Sequence, residues 1–192
     1  MQLGVNAWVW LSPLTNEGLA KVAAKVADMG FDLMETAIEV PGGYDYARAG
    51  EAIRDHGLGA SLVAVIPADG DLIHEDEKVR ENGRAYMRHC IDAAHALGAV
   101  NFGGPFYSAL GRTWQSTAEE RERDIELLAG QLRELADYAA DRGVVLCVEP
   151  INRFETSFIN TAAQLLELLD RVDHPNCKAT LDTFHMNIEE KS

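Results

Sequence analysis

The chain repeats one pattern along its length: an apolar run that suits a β-strand, an amphipathic run that suits a helix, and then a glycine. The apolar runs lie at residues 3–10, 31–38, 58–66, 99–102, 144–149 and 177–182. The helical patterns lie at about residues 17–29, 44–56, 78–97, 117–142 and 161–172. Glycine often follows a helix because it adopts the left-handed backbone conformation at little cost, so we expect helices to end at Gly30, Gly57, Gly98 and Gly143. The pattern therefore predicts six strands and five helices.

Strands separated by helices indicate a parallel α/β sheet, because a parallel connection must cross over, usually through a helix. A doubly wound sheet that binds a nucleotide carries a glycine-rich loop after its first strand, and residues 7–17 (AWVWLSPLTNE) contain no such loop. A (β/α)8 barrel needs no such loop and places functional side chains at the C-terminal ends of its strands. We therefore favour the barrel.

The length of the chain sets the extent of the predicted barrel. Eight strand-helix units take about 250 residues, and this chain has 192. We therefore expect residues 1–192 to form a single partial TIM-barrel domain that is incomplete at its C-terminal side, about two units short. The residues after position 182 read as the beginning of a helix that follows the sixth strand.

Composition narrows the classes of partner. The 17 Lys and Arg residues against 31 Asp and Glu give a net charge of −14, and no basic cluster is present, which argues against nucleic acid and anionic membranes as partners. No apolar run reaches the roughly 18 residues of a membrane span, and MQLGVNAWVW does not resemble a signal peptide, so we expect a cytoplasmic location. Cys90, Cys147 and Cys177 are far apart and are expected to be buried hydrophobic residues.

Two acidic residues end apolar runs: Glu149 in VVLCVEP and Asp182 in CKATLD. In a parallel barrel both carboxylates would project at the same rim from adjacent strands, close enough to share a divalent cation. Oxygen ligands suit Mg²⁺ or Mn²⁺, and an added histidine would favour Mn²⁺ or Co²⁺. A carboxylate at a strand end can instead cap the next helix, and both interpretations stay open for these two residues.

Longer motifs surround the two carboxylates. They are VEPINRFETSFIN at residues 148–160 and LDTFHMNIEE at residues 181–190, together with GFDLMET at residues 30–36. In these motifs, and over most of its length, the chain resembles the ketohexose 3-epimerases, the family of D-tagatose and D-psicose (allulose) 3-epimerases, which are xylose isomerase-like barrels. The resemblance implies a metal-dependent epimerase that acts on a free ketose, with Mn²⁺ as the expected cation, Mg²⁺ or Co²⁺ as alternatives, and a homodimer or homotetramer.

The resemblance also implies roles for individual residues. Glu149 matches a metal ligand that is also one of two acid/base groups, and Asp182 matches a second ligand. Glu155 and His185 match residues that hold the sugar at its carbonyl end. Trp114 falls where the family has an aromatic residue that packs against the sugar.

The family completes its site with residues from later strands: a histidine ligand, a second glutamate that is both ligand and acid/base group, and an arginine. Epimerisation at C3 removes a proton from one face of the carbon and delivers a proton to the other, while the metal stabilises the enediolate. With one such glutamate and half of the metal ligands, we expect the 192-residue chain by itself to be inactive or nearly so.

Other functions remain open at this stage. Residues 61–72 and 102–114, which in the family shape the distal end of the sugar site, depart from the family pattern. The barrel could therefore serve another sugar isomerase, a dehydratase or a 3-keto-sugar lyase. A non-catalytic partial barrel that acts as a binding or assembly subunit is a further alternative. The net charge of −14 makes a DNA-repair nuclease a poor fit.

Overall fold

The structure, a computed structural model, describes residues 1–191. Its strands are β1 (Gly4–Asn6), β2 (Leu33–Ala37), β3 (Gly59–Val63), β4 (Ala99–Gly104), β5 (Val145–Val148) and β6 (Cys177–Ala179). Its α-helices are α1 (Asn16–Asp28), α2 (Tyr46–Asp55), α3 (Glu77–Leu97), α4 (Ala118–Ala140), α5 (Ala162–Val172) and α6 (Thr183–Glu189). Two short 3-10 turns lie at Ala7–Val9 and Ala68–Gly70.

The six strands form one parallel sheet in which the strand order follows the chain order from β1 to β6. A doubly wound sheet reverses its strand order at a switch point, whereas a (β/α) barrel adds each new strand on the same side. The uninterrupted order therefore confirms the predicted barrel progression. Because all strands are parallel, their C-terminal ends lie along one edge of the sheet, and the loops that follow β1 to β6 meet there.

The glycines that punctuate the sequence end helices as predicted. All four have positive φ angles, between +68° and +81°: Gly30, Gly57, Gly98 and Gly143. A residue with a Cβ atom is strained in this conformation, so glycine is favoured where the chain turns from a helix towards the next strand. Helices α4 and α5 begin with capping boxes, which Thr117 forms with Glu120 and Thr161 forms with Gln164.

Several predicted boundaries were wrong. The first strand ends at Asn6 instead of residue 10, because the Asn6 side chain accepts a hydrogen bond from the Trp8 amide and starts a 3-10 turn. The last strand ends at Ala179, although the Thr180 amide still donates to the Val148 carbonyl at 2.9 Å. The count of five helices was also wrong, since Asp182 caps a sixth helix of seven residues.

The core lies between the sheet and the helices packed on its outer face. Phe102, Met87 and Leu128 are among the fully buried side chains, and each comes from a different element. The three cysteines are buried and unpaired, as predicted. Within residues 1–191, no helix is both long enough and apolar enough to cross a membrane.

Close packing of α2 against the end of α3 gives a test of this arrangement. A Cβ atom added to Gly50 would lie 2.0 Å from the Leu97 carbonyl oxygen, whereas one added to Gly130 in α4 would meet no atom within 4 Å. We expect Gly50→Ala to lower the free energy of unfolding by about 1–3 kcal/mol, because the helices must move apart. The matched control Gly130→Ala should raise it by up to about 1 kcal/mol through helix propensity.

Urea denaturation followed by circular dichroism measures both changes. Equal effects of the two substitutions would contradict the close approach of α2 to α3.

Candidate functional site

A cavity of about 520 Å³ opens at the C-terminal edge of the sheet. Its lining includes four of the five residues that the sequence singled out: Glu149, Glu155, Asp182 and His185. The cavity has the size of a typical small-molecule site and combines an apolar wall with a few polar groups. Parallel pairing explains the convergence, because Glu149 directly follows β5 and Asp182 lies just beyond β6.

Glu149, Asp182 and His185 form the densest group of potential metal ligands. One ligand atom from each of the three lies within 4.8 Å of the other two. The Glu149 amide donates to the Gly104 carbonyl at 3.2 Å, which extends the β4–β5 pairing by one residue and fixes where the side chain leaves the sheet. Side chains at this separation can coordinate a common ion.

Asp182 carries both of the roles that the sequence left open. Its Oδ1 atom accepts a hydrogen bond from the Phe184 amide at 2.8 Å and so caps α6. Its Oδ2 atom lies 3.8 Å from Nε2 of His185. One carboxylate oxygen therefore begins the helix while the other faces the cluster, and helix capping holds the second oxygen in place.

Glu149 is surrounded by other carboxylates, so negative charge is in excess around it. Burial, together with the nearby carboxylates of Asp182, Glu35 and Glu155, raises the pKa of Glu149 to about 7. Carboxylates gathered in a partly buried cavity repel one another unless a cation or a proton compensates them. The donor set and its charge therefore fit a hard divalent cation.

A turn after β5 positions the two residues that were predicted to hold a sugar. Buried Asn152 donates from its side-chain amide to Oε1 of Glu155 at 2.7 Å. Its backbone N–H donates to Nδ1 of His185 at 3.1 Å. One asparagine thus fixes both Glu155 and the ring of His185.

The hydrogen bond from Asn152 determines what His185 offers to the cavity. A backbone N–H can only donate, so Nδ1 of His185 is an acceptor, and the proton of the neutral ring resides on Nε2. A histidine that binds a metal usually does the opposite and donates from its second nitrogen to an oxygen. Nε2 is therefore arranged as a hydrogen-bond donor, which leaves Glu149 and Asp182 as the candidate ligands of a cation.

The loop that carries these residues is tied down on both sides. Arg153 forms a two-pronged pair with Glu189 of α6, with nitrogen-to-oxygen distances of 2.9 Å for both Nε and Nη2. On the other side, the Gly111 amide donates to the Glu155 carbonyl at 2.8 Å. The loop after β4 and helix α6 therefore hold the turn between them.

Trp114 is not brought into this cavity. Its side chain is 57% exposed, and the guanidinium carbon of Arg112 lies 4.9 Å from the centre of its ring. It lines a smaller depression of about 250 Å³ together with His74 and Asp124. Within residues 1–191 the structure thus separates Trp114 from the four other predicted site residues.

Further polar residues line the cavity that were not singled out from the sequence, among them Asn6, Glu35 and Asn101. Glu35 lies in the middle of β2, inside the quoted motif GFDLMET. A charged residue in the middle of an apolar strand was the available signal, because such a side chain must find polar partners or a cavity.

Comparison with known proteins places the chain in a family. Residues 23–192 match the family described as the xylose isomerase-like TIM barrel. The chain is 33% identical over 190 residues to a ketose 3-epimerase of Arthrobacter globiformis and 34% identical over 190 residues to an L-ribulose 3-epimerase of Methylomonas sp.. Both alignments cover 99% of this chain and 65% of the relative, so the chain spans about two thirds of the length of the relatives it matches.

Solved structures give the same picture. The chain superposes on a structure of L-ribulose 3-epimerase with a TM-score of 0.91 at 32% identity, covering 100% of this chain and 63% of the other. It superposes on the D-allulose 3-epimerase from Methylomonas sp. in complex with D-allulose with a TM-score of 0.90 at 33% identity, covering 100% and 66%. The chain belongs to the xylose isomerase-like TIM barrel family, and the relatives described above are named as epimerases of sugars.

The tautomer of His185 leads to a prediction about metal binding. We expect Glu149→Gln and Asp182→Asn each to weaken Mn²⁺ binding by about tenfold or more, a loss of about 1.4 kcal/mol or more, because each removes an anionic ligand. His185→Ala should change the affinity by less than about threefold, since Nε2 carries a proton and does not bind the ion. Isothermal titration calorimetry with Mn²⁺ measures all three.

Two features of this set of variants distinguish the loss of a metal ligand from the loss of the fold. Asparagine is as good a helix cap as aspartate, so Asp182→Asn keeps α6 in place. Glu134→Gln, on the exposed face of α4, is the control for removal of one negative charge. A loss of affinity in His185→Ala as large as that in Asp182→Asn would contradict the assigned tautomer.

Proposed function

We propose that the protein is a metal-dependent ketose 3-epimerase. The observation that carries the proposal is the convergence of Glu149, Asp182, Glu155 and His185 on one cavity, in a chain whose matched relatives are ketose, L-ribulose and D-psicose 3-epimerases. The proposed substrates are free ketohexoses of the D-tagatose, D-psicose and D-fructose type. A homodimer or homotetramer and a cytoplasmic location stay predictions.

Glu149 and Asp182 would hold the cation. We propose Mn²⁺, with Mg²⁺ or Co²⁺ as alternatives, because oxygen ligands suit hard divalent ions and the family resemblance implies a further histidine ligand. When bound, the cation supplies positive charge beside the sugar oxygens and stabilises the negative charge that develops as the C3 proton leaves.

Three side chains of this chain move the proton and bind the sugar. Glu149 takes the proton from C3 and can return it to the same face. His185 donates from Nε2 to an oxygen at the carbonyl end of the sugar, since Asn152 holds the ring in that tautomer. The Glu155 carboxylate can accept further hydrogen bonds besides the one from Asn152. It accepts one from a hydroxyl group at the same end of the sugar.

Inversion at C3 requires a second acid/base group on the opposite face of the sugar. The resemblance implies that the family takes this group from a later strand, whereas Glu149 directly follows β5 and serves one face. A single base can exchange the C3 proton with solvent while it retains the configuration. Proton exchange and epimerisation therefore report on different parts of the proposal.

Incubation of the 192-residue chain with D-fructose and Mn²⁺ in deuterium oxide tests the first part. We expect NMR to show deuterium at C3 of D-fructose, while D-psicose forms at least about tenfold more slowly than deuterium enters. Glu149→Gln should reduce the exchange by about 100-fold or more, because general-base catalysis contributes roughly 10²–10⁴-fold. Glu134→Gln serves again as the matched control and should leave the exchange unchanged.

Absence of deuterium at C3 above a protein-free control would contradict the assignment of Glu149 as a base that acts within this chain. Loss of water from the sugar, or cleavage of a glycoside, would instead support a dehydratase or a lyase on the same barrel. Production of D-psicose as fast as deuterium enters would retain the epimerase but refute the assignment of one base to this chain.

A further inference from the structure

A row of polar side chains crosses β1, β2 and β3, and two of them line the cavity. Asn6, Glu35 and Ser61 occupy matching register positions on β1, β2 and β3. Parallel register makes them neighbours on the same face of the sheet. Asn6 and Glu35 line the cavity that also contains Glu149 and Asp182, from which β3 and β4 separate them.

Hydrogen bonds hold the Glu35 carboxylate in a fixed orientation. The Oδ1 atom of Asn6 accepts from the Trp8 amide at 2.8 Å, which sets the Asn6 side chain so that its Nδ2 donates to Oε2 of Glu35 at 2.7 Å. The Ser61 hydroxyl donates to Oε1 of Glu35 at 3.2 Å. An ionised carboxylate accepts about four hydrogen bonds, so Glu35 keeps capacity for a ligand.

A second polar residue of the cavity lining has a hydrogen-bond acceptor without a partner among the described residues. Asn101 of β4 lines the cavity, and its Oδ1 atom is buried without a hydrogen-bond partner among the described residues. A buried acceptor without a partner is costly, and a ligand hydroxyl would satisfy it. Glu35 and Asn101 thus both offer acceptors, which complement hydroxyl groups.

The charge of the lining adds a second constraint. Glu35, Glu149, Glu155 and Asp182 all line the cavity, and among residues 1–191 no lysine or arginine does. A cation held by Glu149 and Asp182 would compensate the carboxylates that bind it, whereas Glu35, which Asn6 and Ser61 hold on the far side of β3 and β4, adds a further carboxylate to the lining. A ligand with a phosphate or carboxylate at that end would meet a fixed like charge.

We propose that Glu35 is a specificity-determining residue that accepts a hydrogen bond from a hydroxyl at the distal end of the sugar and rejects sugars that carry a phosphate there. Asn6 and Ser61 act as positioning residues for its carboxylate, and Asn101 takes a neighbouring hydroxyl. This inference rests on the proposed ketose function for the identity of the ligand but not on turnover.

Binding of D-fructose and D-fructose 6-phosphate, each in the presence of a constant free Mn²⁺ concentration, tests the inference. The unmodified protein should bind D-fructose at least tenfold more tightly than its 6-phosphate. Glu35→Gln keeps the size of the side chain and removes its charge, so it should reduce that ratio of dissociation constants by about tenfold. Glu51→Gln, on the exposed face of α2, is the matched control and should leave the ratio unchanged.

The outcomes distinguish this inference from the proposed function. An unchanged ratio in Glu35→Gln, equal binding of the two sugars by the unmodified protein, or binding of neither would each overturn the role of Glu35. A ratio of dissociation constants that changes in Glu35→Gln, without deuterium exchange at C3, would support Glu35 as a residue that selects neutral sugars. That result would count against the proposed epimerase activity but not against the role of Glu35. Circular dichroism of each variant confirms that its fold is retained.

Discussion

Parallel hydrogen bonding in chain order is the constraint on which the site depends. Because β4, β5 and β6 are neighbours and run in the same direction, residues that follow β5 and β6 emerge at the same edge. Glu149 and Asp182, 33 positions apart in sequence, are thereby brought to within a few ångströms of each other. A reversal of strand order would have sent the two carboxylates to different places.

The geometry of the site also depends on a polar framework outside the sheet. Asn152 fixes both Glu155 and His185, and Arg153 joins the same turn to Glu189 in α6. Asp182 begins α6 through its own cap, so the helix that carries His185 is positioned by a residue of the proposed metal-binding pair. In the proposed function, metal affinity and the orientation of the groups proposed to bind the sugar are therefore coupled through one short helix.

The sequence predicted which carboxylates lie together at the ends of strands, and it did not predict the direction of side chains in a loop or within a strand. Glu149 and Asp182 were identified because each ends an apolar run, and the four helix-ending glycines because a positive φ is expected after a helix. Trp114 lies in the loop after β4 with its ring against the Arg112 guanidinium, a contact that no spacing rule reveals. Glu35 was not singled out because a single charged residue in a strand does not indicate which face of the sheet lines a cavity.

Anomalous X-ray diffraction from crystals grown with Mn²⁺ and D-fructose tests the central claim most directly, that the ends of β5 and β6 form a carboxylate metal site. We predict one strong anomalous peak within about 2.5 Å of a carboxylate oxygen of both Glu149 and Asp182. Nε2 of His185 should contact a sugar oxygen instead of the ion. A peak bound by Nε2 of His185, or a cavity in which neither carboxylate contacts the ion, would contradict the account.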